Sequence, residues 1–195
     1  MFWGATCVGV LAVSAWAGER VGDERRITGI RHFQQVDDRL WRGSAPTDAG
    51  YRALADRGIR TIVDLRAEHL GAAELARPER AGLRVVRLPV RDGQTPEGSQ
   101  VDRFLRVVAA ARTPVFVHCG AGVGRTGSMT AAYLVRTGQA TPSQAALRTV
   151  AVGPPSLEQI YYVLNADQHV SRQPPLAVSL ISRLADAPRR IKASL

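Results

Sequence analysis

Apolar and polar positions change period repeatedly along the 195-residue chain. Short apolar runs, read as strands, alternate with stretches whose apolar residues return every three or four positions, read as helices. Arg39-Leu-Trp-Arg42 reads as a short strand before the turn residues Gly43 to Pro46. Thr47 then caps a helix carrying Tyr51, Leu54 and Ala55 on one face, with Gly58 as its stop. Ile59 to Leu65 follows as a strand, a weak helix lies between Ala72 and Arg80, and Leu83 to Val90 supplies another strand. Beyond the loop Arg91 to Gly98, the helical spacing of Val101, Phe104, Leu105 and Val108 predicts a core-facing helix. It leads into the apolar run Pro114-Val-Phe-Val117 and a strand ending at His118, and Ser128 to Val135 can form the next helix.

Thr141-Pro-Ser-Gln144 is a capping box with proline at the first helical position, opening a helix through Leu147 and Val150. Gly153-Pro-Pro155 breaks it. Leu157, Ile160, Tyr161 and Leu164 mark a further amphipathic helix, and beyond Pro174-Pro175 a last one carries Leu176, Leu180, Ile181 and Leu184. An apolar stripe usually faces a core, so this tail is expected to pack on the domain. The alternative is a basic interfacial helix, given Arg183, Arg189, Arg190 and Lys192. The alternation of elements predicts an α/β fold with a central, mostly parallel sheet of four to five strands flanked by helices. Residues 29–170 are expected to form one domain and residues 171–195 a basic helical tail.

Residues 1–18 stand apart. Phe2 to Ala17 is apolar throughout, ends in Ala15-Trp-Ala17, and is followed by the charged stretch Glu19 to Arg26. This reads as an export signal with a small-residue cleavage site, and is short against the roughly 20 residues of a membrane span. The arginines follow the apolar run and none precedes it, which by the positive-inside tendency favours an uncleaved anchor instead. The protein is therefore expected to be exported, periplasmic or secreted, or else membrane-anchored through this segment.

Charge narrows the partners. The net +9 is carried almost wholly by arginine and favours anionic ligands. Zinc spacing, an aromatic-interleaved basic strand and a dense Lys/Arg run are all missing, so no specific nucleic acid is expected. The two cysteines, Cys7 in the leader and Cys119 far from it, exclude a cysteine-zinc site and make a structural disulfide improbable. Neither a metal nor a cofactor is expected, and the chain is taken to be a monomer.

The candidate chemistry lies in His118-Cys-Gly-Ala-Gly-Val-Gly-Arg-Thr-Gly127, a tight glycine loop between a strand and a helix. A loop feeding a helix N-terminus presents unpaired backbone N–H groups, and the helix dipole adds partial positive charge there, which together make an anion site. Gly120, Gly122 and Gly124 permit the turns that bring successive N–H groups inward, with Ala121 and Val123 between them. Arg125 adds a planar fork suited to two phosphate oxygens. At the base of the loop sits Cys119, where the field that attracts phosphate also favours a thiolate.

A cysteine, five residues, then arginine and threonine, after a strand ending in histidine, strongly resembles the signature loop of the cysteine-dependent tyrosine and dual-specificity phosphatases. Val36 to Ser44 with Pro46, Thr61 to Arg66, and Pro155-Ser-Leu-Glu-Gln-Ile160 are similar to other segments of the compact, bacterial-type dual-specificity members, so the resemblance runs from about Gly29 to Gln168. It implies that Cys119 attacks phosphorus and that Arg125 with the N–H groups of residues 120–125 holds the phosphoryl oxygens. It also implies that the Thr126 hydroxyl bonds the sulfur, and that His118 orients the loop without transferring protons. The general acid it calls for is assigned to Asp92, in Pro89-Val-Arg-Asp-Gly-Gln-Thr-Pro96 after a strand, with Glu97 and Asp102 as weaker alternatives. Gln159 is taken as a packing or hydrogen-bonding element, and Arg66 as a brace of the loop through its carbonyls.

Substrate is less legible. The uncharged residues Gly120 to Gly124 favour a single phosphate, on a phosphotyrosine or phosphoserine/threonine protein, with small metabolites such as inositol phosphates open as an alternative. Three rivals share the anion loop: a nucleotide-binding P-loop, whose usual lysine is absent here; a sulfurtransferase, whose loop does not normally end in Arg-Thr-Gly; and a catalytically silent phosphopeptide-binding module.

Overall fold

The computed structural model describes residues 26–167 and 172–194, with side chains through residue 185. Its sheet comprises β1 (Gln34–Gln35), β2 (Leu40–Ser44), β3 (Thr61–Arg66), β4 (Arg84–Val90) and β5 (Val115–Cys119), in the order β1-β2-β5-β3-β4. All neighbours run parallel except β1, which pairs antiparallel with β2 at the edge. The helices among the described residues are α1 (Asp48–Asp56), α2 (Ala72–Leu75), α3 (Arg77–Arg80), α4 (Gly98–Ala110), α5 (Gly124–Arg136), α6 (Pro142–Val150), α7 (Leu157–Leu164) and α8 (Leu176–Ser194).

Helices cover both faces, which is why β3 and β5 read as near-continuous apolar runs. Successive side chains point to opposite faces. Val63, Leu65, Val115 and Val117 therefore join Val101, Phe104 and Val108 of α4 and Met129 and Leu134 of α5 in one core. Ile62, Phe116 and Trp41 pack against Tyr51 and Leu54 of α1 in the other. Each such side chain, fully buried, is worth about 1.5–3 kcal/mol. Turn chemistry holds as expected at α1, where Thr47 Oγ1 accepts from Gly50 N–H, and at Gly58, which adopts φ +86°. Thr141 and Gln144 form the reciprocal capping box of α6.

Several expectations shift. The weak helix between Ala72 and Arg80 is two single turns that break at Ala76. β2 runs on to Ser44, through residues expected to turn. β1 is a pair of glutamines with no apolar signal. In the last three helices the stripes lie on the wrong face. α6 buries Ala145, Ala146 and Thr149 while Leu147 and Val150 are exposed. α7 buries Tyr162 and Val163 while Leu157 and Leu164 are half exposed. On α8, expected to pack through its leucines, Leu176 and Leu184 are 83% and 78% exposed, and the buried side chain among those described is Ser182, whose Oγ accepts from Glu158 N–H. Close approach explains the choice at α6: a Cβ on Gly127 of α5 would stand 2.5 Å from Thr149 Cγ2, so the helices meet through small residues.

The leader, residues 1–18, and the boundary at residues 170 and 171 lie outside the described residues. No helix among the described residues is long and apolar enough to cross a membrane.

Candidate active site

Parallel pairing sends the chain out of β2, β3, β4 and β5 at the same edge of the sheet, where open α/β sheets bind ligands. β5 is central, flanked by β2, with Ser44 opposite Cys119, and by β3, with Asp64 opposite His118. Glu68 after β3, Asp92 after β4 and the Cys119 loop after β5 consequently converge, although each is remote from the others in sequence.

The loop's carbonyls are turned outward, and each has a donor. Gly120 O accepts from Ala45 N–H at 3.0 Å, Ala121 O from His32 Nδ1 at 2.8 Å, Gly122 O from Arg42 Nη2 at 2.7 Å, and Val123 O from Gly127 N–H at 2.8 Å. A trans peptide carries its N–H opposite its C=O, so the N–H groups of residues 121–124 face inward. Gly122 N–H lies 3.3 Å from Cys119 Sγ. α5 begins within the loop, at Gly124, so the helix N-terminus adds its partial charge at the same point.

Arg42 and His32 are functional positions that sequence reasoning missed. Arg42 is buried behind the loop, and desolvation lowers its guanidinium to about 10, although the nearby Cys119 opposes this. It occupies the bracing role expected of Arg66. Arg66 instead binds Asp64 and Glu74, two carboxylates that engage its guanidinium on β3 and on the helical turn after it, and the strand register shifts between Asp64 and Arg66. His32 holds Ala121 from a left-handed backbone at φ 53°, an uncommon conformation for a residue other than glycine.

Gly122 is fixed by space as well as by angle. At φ +78° an added Cβ would lie 2.4 Å from the backbone of Gly43 and Ser44. Gly122→Ala is therefore expected to push the loop off β2 and lower catalytic turnover about 100-fold. The check is steady-state kinetics beside a melting curve. Turnover within a factor of three of the parent would mean that the loop tolerates the shift.

Arg125 is almost fully buried, and Glu68 grips it in a fork, Nη1 to Oε2 at 2.8 Å and Nη2 to Oε1 at 2.7 Å. Nη1 also donates to Val90 O at 3.2 Å, and Asp92 Oδ1 stands 3.2 Å from Nη2. Burial would lower this guanidinium's pKa, but Glu68, Cys119 and Asp92 together raise it. In return, the bond from Arg125 holds the Glu68 carboxyl below the usual range. Glu68 was not singled out from the sequence; its place directly after a strand of a parallel sheet is the signal that marks it.

The loop bearing Asp92 is anchored from α7 and from the following segment. Ser156 Oγ donates to Gly93 O, Gln159 Nε2 to Gln94 O, Thr95 Oγ1 to Gln173 Oε1, and Gln173 Nε2 to Pro96 O. Gln159 also abuts Gly124, so one amide touches both loops, in keeping with the packing and hydrogen-bonding part expected of it. The alternative acids are occupied elsewhere: Glu97 caps α4, and Asp102 pairs with Arg136 at 2.9 Å.

His118 is wholly buried between Tyr51 and Phe116, with Nδ1 3.1 Å from Cys119 O and 4.0 Å from Asp64 Oδ1. Burial lowers its pKa and outweighs Asp64, so the imidazole is neutral at pH 7. Thr126 Oγ1 makes no hydrogen bond. The expected bond from Thr126 to the sulfur is thus not made; the hydrogen bond to the sulfur comes from Gly122 N–H.

Residues 19–165 match the family described as "DSP-PTPase phosphatase fused to NAD+ Kinase". The probable NAD kinase 2, chloroplastic, of Oryza sativa subsp. japonica is 34% identical over 102 residues, which are 49% of this chain and 10% of that protein. The tyrosine-protein phosphatase cdc-14 of Caenorhabditis elegans is 33% identical over 89 residues, 46% of this chain and 12% of that one. The chain thus spans about a tenth of the length of these curated relatives. Among solved structures, P. aeruginosa TpbA aligns with TM-score 0.60 at 23% identity, over 80% of this chain and 91% of that one. The core catalytic domain of the PP-IP phosphatase SIW14 from S. cerevisiae aligns with TM-score 0.63 at 15% identity, over 83% and 96%. These two likenesses concern the fold. Taken with the signature loop and its geometry, the family match means that this chain belongs to the dual-specificity and tyrosine phosphatase-like hydrolases, in the family described as a phosphatase domain fused to NAD+ kinase.

Proposed function

We propose that this protein hydrolyses phosphate monoesters through a cysteinyl-phosphate. The observation that carries the reading is a single cradle in which Cys119 Sγ, inward loop N–H groups and the Arg125 guanidinium meet. The thiolate forms a bond to phosphorus as the ester P–O bond breaks, and Asp92 gives its proton to the departing oxygen. Arg125 and the N–H groups hold the equatorial oxygens while charge shifts. Water, deprotonated by Asp92, then breaks the P–S bond and releases phosphate with the thiolate restored. Glu68 positions Arg125, and Arg42 keeps the loop carbonyls turned away. His118 is neutral and orients the loop.

Phosphotyrosine or phosphoserine/threonine in proteins is the substrate class this site favours. No loop side chain from Gly120 to Gly124 is charged, and the exposed carboxylates of Glu68 and Asp92 stand at the mouth, which disfavours ligands bearing several phosphates. Hydrolysis of an aryl phosphate under reducing conditions tests the activity. A phosphotyrosyl peptide set against an inositol phosphate tests the class, and a kcat/KM ratio favouring the inositol phosphate would reverse it. Binding of the peptide without turnover would identify a silent binding module.

The acid assignment has its own test. Asp92→Ala is expected to lower turnover about 100-fold or more for an alkyl or poor aryl leaving group, and far less for a good one, since only the poor one needs the proton. An equal loss across a series of leaving groups would show that Asp92 merely shapes the loop.

A further inference from the structure

A cavity of about 610 Å³ opens at the edge of the sheet, between β1, β2, α5 and α6. Its volume is within the range of small-molecule sites. Phe33, Val36 and Leu134 supply apolar walls, Gln34 an amide, and Arg42 and Arg148 two cations. No carboxylate lines it. Neither arginine forms an ion pair among the described residues, where the other buried arginines, Arg66 and Arg125, both have carboxylate partners. Arg42 is 2% exposed and its Nε has no hydrogen-bond partner; Thr130, 4% exposed and also lining the cavity, has an unpartnered hydroxyl. A buried cation with no carboxylate partner is costly, and an anion brought beside it offsets that cost. The cation at the mouth, Arg148, is exposed and can meet an incoming anion first.

We propose that this cavity is a second ligand site, separate from the catalytic cradle, for a small organic anion with an apolar body. The charged group is drawn to Arg148 and the Arg42 end, and the body lies against Phe33, Val36 and Leu134. The site is linked to the catalytic loop by one side chain: Arg42 forms part of the cavity wall and also donates to Gly122 O. Its occupant is distinguished from substrate by needing no phosphate ester, only an anionic head on an apolar frame.

Two fluorescent probes test it on the purified protein: 8-anilinonaphthalene-1-sulfonate, which is an anion, and N-phenyl-1-naphthylamine, its neutral counterpart. Arg148→Glu reverses the exposed charge, and Ala151→Trp fills the mouth, where Ala151 is exposed and lines the cavity. Neither residue belongs to the catalytic machinery, so unchanged aryl phosphate hydrolysis certifies the fold of each variant. The sulfonate is expected to bind, with its Kd raised about tenfold or more by Arg148→Glu and its binding lost in Ala151→Trp. The neutral probe is expected to be indifferent to Arg148→Glu. A sulfonate Kd unchanged in both variants would place the probe elsewhere, as on the exposed leucines of α8, and overturn the proposal. So would equal binding of the charged and neutral probes.

Discussion

Replacing Cys119 with serine is expected to lower turnover by about 10⁴-fold or more, to the floor set by oxyanion stabilisation and substrate binding. The substitution removes one sulfur and little volume, and Cys119 is buried between β2 and β3, so the fold should persist. Serine loses the reaction because its hydroxyl stays protonated at neutral pH, and Asp92, which in the first step gives its own proton to the departing oxygen, is not the base for it. His118, the adjacent candidate, is fully buried, has its pKa lowered by burial, and directs Nδ1 at the Cys119 carbonyl. Inward N–H groups and Arg125 remain in the variant, so substrate binding should survive. The measurement pairs aryl phosphate kinetics with retention of a phosphotyrosyl peptide. Turnover within about tenfold of the parent would exclude Cys119 as the nucleophile.

Arg125→Lys is expected to cost about 10³-fold in turnover, although the positive charge is kept. The guanidinium meets Glu68 through two nitrogens, donates to Val90 O and lies beside Asp92. A lysine ammonium is a point charge that cannot hold the Glu68 fork and present a second edge to phosphate at once. The same variant should release the Glu68 carboxyl, whose depressed pKa rests first on its bond from Arg125, back towards the ordinary range. Kinetics with a melting curve distinguish a lost transition-state contact from an unfolded chain. A lysine variant with near-parental kcat would mean that charge alone is needed there.

Patterns that are local in sequence were read correctly where one face of an element decides its place. Val101, Phe104 and Val108 lie in the core as their spacing required, and the Thr141 box caps its helix. The strand–loop–helix around Cys119 was legible because its glycines and flanking apolar run are contiguous. Periodicity failed for α6, α7 and α8 because it finds the more apolar face of a helix and not the face a neighbour covers; at α6, contact with Gly127 favours a small face. A leucine stripe shows that a helix is amphipathic without showing which neighbour is near enough to cover it.

The α/β class and the candidate roles of Cys119 and Arg125 were legible in the sequence from element alternation, residue chemistry and short-range spacing, and the candidate acid Asp92 from the family resemblance. Tertiary structure alone decided what surrounds them. Glu68 reaches Arg125 across 57 residues, Arg42 reaches Gly122 across 80, and His32 reaches Ala121 across 89. No period links such positions. Glu68 arrives because the parallel strands β2, β5, β3 and β4 end at one edge of the sheet, and Arg42 on β2 and His32 before β1 are drawn in because the signature loop needs donors for its outward carbonyls wherever the chain can supply them.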